Sequence, residues 1–254
     1  MKLLTSESGI LLHLTSLPGD YGIGEIGNEA EKFIDCLKKM GQSLWQILPL
    51  GYPGNTHSPY DLLSSFAGNP LLISLDLLVK DGYLKKGSLP VHMVQENHQI
   101  NFDSLIPYKM DILNCAAETF LNCASGKVKM LYQKFCKEND YWLDDYSLFL
   151  TLKVLHNGKS WNHWNDSFKK REHTALNKIN DEYFSEIEKI KITQFLFHSQ
   201  WEKLKRYANV SGIRIIGDLP LYVTYDSAEV WANPELFSLN NNGDMTFVSG
   251  VPPC

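Results

Sequence analysis

The sequence predicts an α/β fold whose core is a parallel β-sheet. Three short apolar runs, expected as strands near residues 9–14, 44–49 and 213–218, are bounded by Gly, Pro or polar residues and have the length of strands buried on both faces. A segment with helical spacing separates the first two runs, and strands joined by such a crossover are parallel. A long helical stretch separates the second run from the third.

The segment between the first two strands is predicted to be a helix that is capped by Asn28 and stops at Gly41. Asn is a frequent N-cap residue, and Gly readily takes the left-handed conformation that ends a helix. The apolar residues of this segment recur at helical spacing, at Ala30, Phe33, Ile34, Leu37 and Met40.

Residues 50–70 are predicted to form a long functional loop. The segment is rich in Gly, Pro and Asn, and loops of this length in compact domains are usually either functional or disordered. It contains three aromatic residues, Tyr52, Tyr60 and Phe66, which argue against disorder.

The chain is predicted to divide into three parts. Residues 1–70 carry the first two strands and the loop, residues 71–190 form a mainly helical insertion, and residues 191–254 carry a helix, the third strand and the loop after it. The clearest helices of the insertion are expected at 108–120, 141–155 and 181–192. The helix before the third strand is marked by Phe197, Trp201, Leu204 and Ala208.

Composition and charge exclude several classes of protein. The 254 residues are 44% hydrophobic and 21% charged with a formal net charge of -5, which excludes a disordered chain and a basic nucleic-acid-binding surface. No apolar run is long enough for a transmembrane helix, and we expect no signal peptide. The cysteines are odd in number and form no C-x-x-C pair, which favours reduced thiols in the cytoplasm; they are Cys36, Cys115, Cys123, Cys136 and Cys254.

The ends of the three predicted strands are the expected location of a functional site, because parallel strands present their carboxyl ends at one edge. Asp218 is the only acid placed directly at such an end, with a structural turn or an N-cap carboxylate as the alternative role. No metal-ligand spacing, nucleophile elbow or phosphate-binding loop is present. Gly22, Gly24 and Gly27 match G-x-G-x-x-G, but no acid follows at the required distance. We therefore expect no metal and no organic cofactor.

Longer motifs give the sequence a specific resemblance to a known family. They are GILLHLTSLPG (9–19) with YGIG (21–24), WQILPLG (45–51), SPY (58–60), SFAGNP (65–70), WLDDY (142–146), GDLPLYV (217–223) and DSAEVWANPELF (226–237). In this order they resemble the amylomaltases, which are bacterial 4-alpha-glucanotransferases. The resemblance covers essentially the whole chain.

The resemblance implies a (β/α)8 barrel of the α-amylase clan with helical insertions, of which this chain would hold the first three strands. It implies transfer of α-1,4-glucan segments between maltodextrins by a retaining mechanism. Such a mechanism needs a carboxylate nucleophile and a second carboxylic acid about 5 Å away. The implied partner is therefore a maltooligosaccharide or α-1,4-glucan.

The resemblance also implies residues that bind the sugar. Tyr60, beside Ser58 in the SPY motif, matches a ring expected against the reacting glucose, with loop packing as the alternative. Asp218 matches an acid that supports the site without reacting. Trp231 and Asn233 match a segment at the sugar-binding face, with a place in the core as the alternative for that segment.

No residue of this chain matches the family's reacting carboxylates. In the family, the nucleophile follows the fourth strand and the acid/base Glu follows the fifth, while a third carboxylate, which holds the distorted sugar, follows the seventh. This sequence stops after the loop of the third strand, with Cys254 where the family continues. We therefore expect a truncated N-terminal half that is inactive alone, with a separate C-terminal half as one source of the remaining strands. The alternatives are a non-catalytic remnant that binds glucan weakly, and a hydrolase that uses Asp218 with Glu229 or Glu235.

Overall fold

The computed structural model describes residues 7–89, 99–248 and 250, so Cys254 lies outside the described residues. Its sheet has three parallel strands in the order β1 (Gly9–Leu11), β2 (Leu44–Gln46) and β3 (Arg214–Ile216). The predicted α/β class and the three parallel strands are confirmed. Each strand is shorter than predicted, since only three residues of each run pair with a neighbour.

The helices of the described residues are α1 (Asn28–Lys39), α2 (Leu75–Lys80), α3 (Phe102–Cys123), α4 (Gly126–Glu138), α5 (Asp140–Leu155), α6 (Asp166–Lys169), α7 (His173–Glu182), α8 (Phe184–Val210) and α9 (Ala228–Ala232). Short 3-10 helices lie at Leu14–Ser16, Pro70–Leu72, Lys86–Ser88, Trp161–His163 and Pro234–Leu236. No helix among the described residues is long and apolar enough to cross a membrane.

The predicted helix boundaries needed three corrections. The N-cap of α1 is Gly27 rather than Asn28, although Gly41 follows the helix in the left-handed conformation, as predicted. The helix predicted at 181–192 is broken at Tyr183, where α7 ends and α8 begins. The helix marked by residues 197–208 is part of α8, which runs without a break for 27 residues.

The contacts divide the chain into two compact units. The sheet unit comprises Met1–Leu50, Gly68–Gly126 and Thr193–Leu219, and the loop–helix unit comprises Gly51–Ala67, Lys127–Ile192 and Pro220–Cys254. The three-part division at residues 70 and 190 stays a prediction.

In the sheet unit, the two faces of the sheet have different surroundings. Ile10, Trp45 and Ile215 are paired across the strands and share one face, where Trp45 is fully buried against Phe33 of α1. The next residue of each outer strand points to the opposite face. Leu11 is 56% exposed there and Ile216 is 42% exposed. Gln46 of β2 is in register with both and is also exposed. The prediction of burial on both faces is therefore wrong for all three strands, because the described residues do not cover this second face.

A buried ion pair connects the loop after β1 to α3 within the sheet unit. The Lys109 ammonium is fully buried and donates to Glu25 Oε1 at 2.5 Å and to the Leu71 carbonyl at 2.6 Å. Glu25 Oε2 accepts a hydrogen bond from the Leu75 amide at 3.2 Å. Glu25 lies within the G-x-G-x-x-G letters, so this loop serves to hold the strand–helix connection.

In the loop–helix unit, α5 and α9 pack around a cluster of aromatic rings. Phe149 of α5 contacts Trp164 and Trp231, with ring centroids 5.5 and 6.0 Å apart. Lys153 of α5 forms an ion pair with Asp226, whose other oxygen accepts from the Trp161 amide. These contacts fix the segment that precedes α9.

Candidate functional site

At the carboxyl edge of the sheet, Asp218 follows β3 by two residues. It is half-buried, and its Oδ1 accepts a hydrogen bond from the Leu219 amide at 2.8 Å. This contact joins adjacent residues and forms no turn, so the structural role that the sequence offered as the alternative stays a prediction. The structure leaves its relation to a substrate as a prediction.

His13 occupies the equivalent position after β1, and sequence reasoning did not select it. Leu11 and Ile216 are in register through Gln46, so His13 and Asp218 each lie two residues beyond the same level of the sheet. Burial lowers the pKa of His13 to about 4, so its imidazole is neutral at pH 7. Its Nδ1 is buried with no hydrogen-bond partner among the described residues. Only its place at a strand end could have identified it.

In the loop–helix unit, residues 51–67 form two antiparallel limbs with Tyr60 near their tip. The Gly54 amide donates to the Asp61 carbonyl at 2.6 Å, and the Leu63 amide donates to the Tyr52 carbonyl at 3.0 Å. His57, at the turn, has a left-handed φ of 55°. The loop is thus an ordered structure, as its aromatic content predicted.

Two of the predicted sugar-binding residues lie together at this tip. The Tyr60 amide donates to Ser58 Oγ at 3.3 Å, and the Tyr60 side chain is 48% exposed. A ring with this exposure presents apolar surface that a sugar could cover. Sugar binding by Tyr60 and Ser58 stays a prediction.

Residues 224–229 hold the returning limb of the loop, which comprises residues 62–67. The Leu62 amide donates to Thr224 Oγ1 at 3.0 Å, and the Ala228 amide donates to the Leu63 carbonyl at 2.9 Å. The Ser64 hydroxyl donates to Glu229 Oε1 at 2.6 Å. Sequence reasoning missed this connection, because nothing in the sequence indicates that residues 165 positions apart are paired.

Trp231 and Asn233 have different surroundings. Trp231 is fully buried, its indole donates to the Phe168 carbonyl at 2.9 Å, and the Arg171 guanidinium lies 4.3 Å from its ring centroid. These contacts are those of a core residue, which was the alternative considered for this segment from the sequence. Asn233 is exposed at the end of α9, where its amide groups donate to the Glu229 carbonyl. A sugar contact by either residue stays a prediction.

Glu229, one acid of the hydrolase alternative, has the surroundings of a structural carboxylate. Burial raises its pKa above the ordinary value, while the Ser64 hydroxyl and the Ser65 backbone act in the opposite direction. Glu235, the other acid of that alternative, is exposed in the next 3-10 helix. The environments of Glu229 and Glu235 therefore give no specific support for a hydrolase that pairs either acid with Asp218.

Two pockets are lined by none of the five predicted sugar-binding residues, which are Ser58, Tyr60, Asp218, Trp231 and Asn233. One, of about 380 Å³, lies in the loop–helix unit between α5, α7 and α8, and the other, of about 260 Å³, lies in the sheet unit beside α1, α2 and α8. Among residues 7–89, 99–248 and 250, no group of three or more His, Cys, Asp or Glu is arranged to hold a metal ion.

Comparison with known proteins decides the family. The family model described as 4-alpha-glucanotransferase, glycoside hydrolase family 77, matches residues 12–253. The chain belongs to this family. It is 43% identical to 4-alpha-glucanotransferases of Synechocystis over 247 residues and of Thermus thermophilus over 247 residues. The confirmed resemblance rests on motifs spread along the whole sequence.

The match to 4-alpha-glucanotransferases spans about half the length of the relatives. The aligned region is 97% of this chain but 49% of the Synechocystis protein, and 96% of this chain but 48% of the Thermus protein. Among solved structures, the amylomaltase from Streptococcus agalactiae in complex with acarbose is 36% identical with a TM-score of 0.89. That likeness covers 94% of this chain and 48% of the amylomaltase.

Proposed function

We propose that this chain is the N-terminal half of a 4-alpha-glucanotransferase that moves segments of α-1,4-glucan between maltodextrins with retention of configuration. The observation that carries the proposal is the family match over residues 12–253. The similarity to an amylomaltase that binds acarbose supports an oligosaccharide as the ligand. The exposed Tyr60 ring, held on an ordered loop, offers a surface on which a pyranose can stack.

Under this proposal, the predicted site residues of this chain bind the sugar and do not react with it. In the loop–helix unit, Tyr60 and Ser58 contact the donor glucose and Asn233 contributes from the exposed end of α9. In the sheet unit, Asp218 has a supporting role at the end of β3. Trp231 acts from the core by fixing α9, because its ring is fully buried. Retaining transfer needs two carboxyl groups about 5 Å apart, and we assign neither group to residues of this chain.

We further propose that a (β/α)8 barrel is completed by strands outside this chain, supplied by a C-terminal half. In the described residues, β1 and β3 each pair only with β2, which leaves one edge of each unpaired. Leu11 and Ile216 expose apolar surface on the uncovered face. Unpaired edges and exposed apolar faces are ordinarily covered by further structure, and closure of a barrel covers both.

We propose the cytoplasm as the location of the protein. Among the described residues, four cysteines are free: Cys36, Cys115 and Cys123 are exposed, and Cys136 is half-buried. Thiols persist in compartments that keep cysteine reduced. A protein recovered from cells with these four thiols fully alkylatable before reduction supports this location. Disulfides among them in the native protein would contradict it.

Calorimetry with two sugars tests the proposed ligand. Maltohexaose, which is α-1,4-linked, should bind to the 254-residue chain with measurable heat, whereas cellohexaose, its β-1,4-linked counterpart, should not. Equal binding of the two sugars, or no binding of maltohexaose, would contradict the proposed function. Weak binding without reconstitution of transfer by a C-terminal half would favour the alternative, a non-catalytic remnant.

A further inference from the structure

We infer that Glu229 is a positioning residue that holds the Tyr60-bearing loop in place through the Ser64 hydroxyl. The inference rests on the proposed function only in assigning Tyr60 to the sugar. The contacts that support it all lie within the loop–helix unit, and they connect α9 to the returning limb, residues 62–67.

The first step is that α9 is a fixed support. Ala228, Val230 and Trp231 are all buried, and the Trp231 indole is hydrogen-bonded to the Phe168 carbonyl. Ser227, also buried, caps the helix by accepting from the Val230 amide. A group attached to α9 therefore has a defined position, and Glu229 is such a group.

The second step is that Ser64 organises the returning limb. Its side chain is fully buried, and its hydroxyl oxygen accepts from the Phe66 amide at 3.1 Å and from the Ala67 amide at 3.2 Å. Its proton goes to Glu229 Oε1 at 2.6 Å. The direction of this proton is set by the carboxylate, which leaves the hydroxyl oxygen free to accept from both amides.

The third step is that burying the Glu229 carboxylate costs free energy that an apolar side chain would not, so the carboxylate is not present merely to fill space. Glu229 Oε2 is buried with no hydrogen-bond partner among the described residues, and the same holds for the nearby Tyr146 hydroxyl. Burial raises the pKa of Tyr146, and the neighbouring Tyr52 and Glu229 act in the same direction. An apolar side chain of similar size would avoid this cost but could not orient Ser64. The carboxylate thus contributes orientation.

The fourth step connects this contact to Tyr60. Residues 62–67 continue from Tyr60 at the tip of the loop, and the limb is also held by Thr224 and by the Ala228 amide. Of these three attachments, Glu229 supplies the only one that carries a formal charge, and hydrogen bonds to charged groups are the stronger ones. Loss of Glu229 should therefore loosen the limb while two weaker attachments remain.

The test compares Glu229→Ala, Glu229→Gln and Ser64→Ala in the 254-residue chain by hydrogen–deuterium exchange and by calorimetry with maltohexaose. Glu229→Ala should speed amide exchange in residues 62–67 by roughly tenfold, the ratio expected for one lost hydrogen bond to a charged group. Ser64→Ala also removes the acceptor of the Phe66 and Ala67 amides, so it should speed exchange there at least as much. Glu229→Gln keeps an oxygen that accepts from Ser64, so it should stay within about threefold of the wild type. The exposed Glu182 provides the control Glu182→Ala, which should change neither measurement.

The two measurements separate the inference from the proposed function. Faster exchange confined to residues 62–67, with maltohexaose binding weakened roughly threefold in Glu229→Ala and Ser64→Ala and restored in Glu229→Gln, supports both. The same local exchange with no maltohexaose binding by the wild type supports the loop attachment and contradicts the proposed function. Unchanged exchange in Glu229→Ala, or faster exchange spread equally through α5, would overturn the inference.

Discussion

Tyr60 is the residue at which the proposed sugar contact can be tested directly. Replacing it by Ala removes a half-exposed ring from the loop tip and should weaken maltohexaose binding by about 1 kcal/mol, the typical contribution of an aromatic contact beyond burial. Tyr60→Phe is the matched control, because it keeps the ring and removes only the hydroxyl. Calorimetry should show affinity lowered roughly fivefold by Tyr60→Ala and changed little by Tyr60→Phe. Equal affinity of Tyr60→Ala and the wild type would assign the ring to loop packing.

Lys109 is a residue whose replacement should lower stability strongly, because it is the buried partner of a buried carboxylate. Lys109→Met leaves Glu25 buried without its cation, which typically costs about 3–5 kcal/mol. The double variant Glu25→Gln with Lys109→Met removes both charges and should lose less than the single one. Urea denaturation of the three proteins measures the difference. A single variant at least as stable as the double one would contradict the importance of this pair.

The stability of the Lys109→Met variant should depend on pH in a defined direction. Burial already raises the pKa of Glu25, and Lys109 opposes that rise, so Lys109→Met should raise this pKa further. A carboxyl with a raised pKa in the folded state binds its proton where the unfolded chain has lost it. The variant's stability should therefore fall as pH rises from about 4.5 through the raised pKa. Denaturation midpoints that rise over this range relative to the wild type would contradict the assignment.

The loop after β1 is the element whose packing is most restrictive. A Cβ at Gly24 would overlap the Leu14 carbonyl oxygen and press on that of Leu17. Gly24→Ala should destabilise the chain by about 1–3 kcal/mol, as expected for overpacking. Gly87→Ala is the control, since no atom lies near a Cβ there and the change should stay within about 0.5 kcal/mol. Comparable thermal midpoints for both variants would show that the loop can accommodate a Cβ at residue 24, which would contradict the prediction.

At the level of elements, the sequence predicted local structure better than it predicted contacts between distant segments. The apolar runs gave the strand positions and their parallel order, because both depend on short-range signals and on the handedness of the crossover. The break at Tyr183 was not predictable, since the helical pattern continues through it. The Glu229–Ser64 and Lys109–Glu25 pairs join residues 165 and 84 positions apart, and no local pattern specifies such partners. Tyr60 was selected only through the family motif.

For the whole molecule, the open face of the sheet has a measurable consequence. Leu11 and Ile216 leave apolar surface uncovered, which should bind a hydrophobic dye and lower solubility. Adding a polypeptide that completes the barrel should reduce the dye signal. A monomeric 254-residue chain that shows a sharp cooperative thermal transition and no dye binding would contradict the proposal that further strands cover this face.

We propose that this chain binds the glucan but contains neither reacting carboxylate. Incubation of the purified 254-residue chain with maltotriose, followed by assay of glucose and longer maltodextrins, tests both parts of this proposal. We expect no transfer by the chain alone, since loss of a covalent nucleophile typically costs many orders of magnitude in rate. Addition of the C-terminal half of a relative such as the Synechocystis enzyme should produce transfer. Robust transfer by the chain alone that is abolished by Asp218→Asn would contradict the account and make Asp218 a catalytic residue.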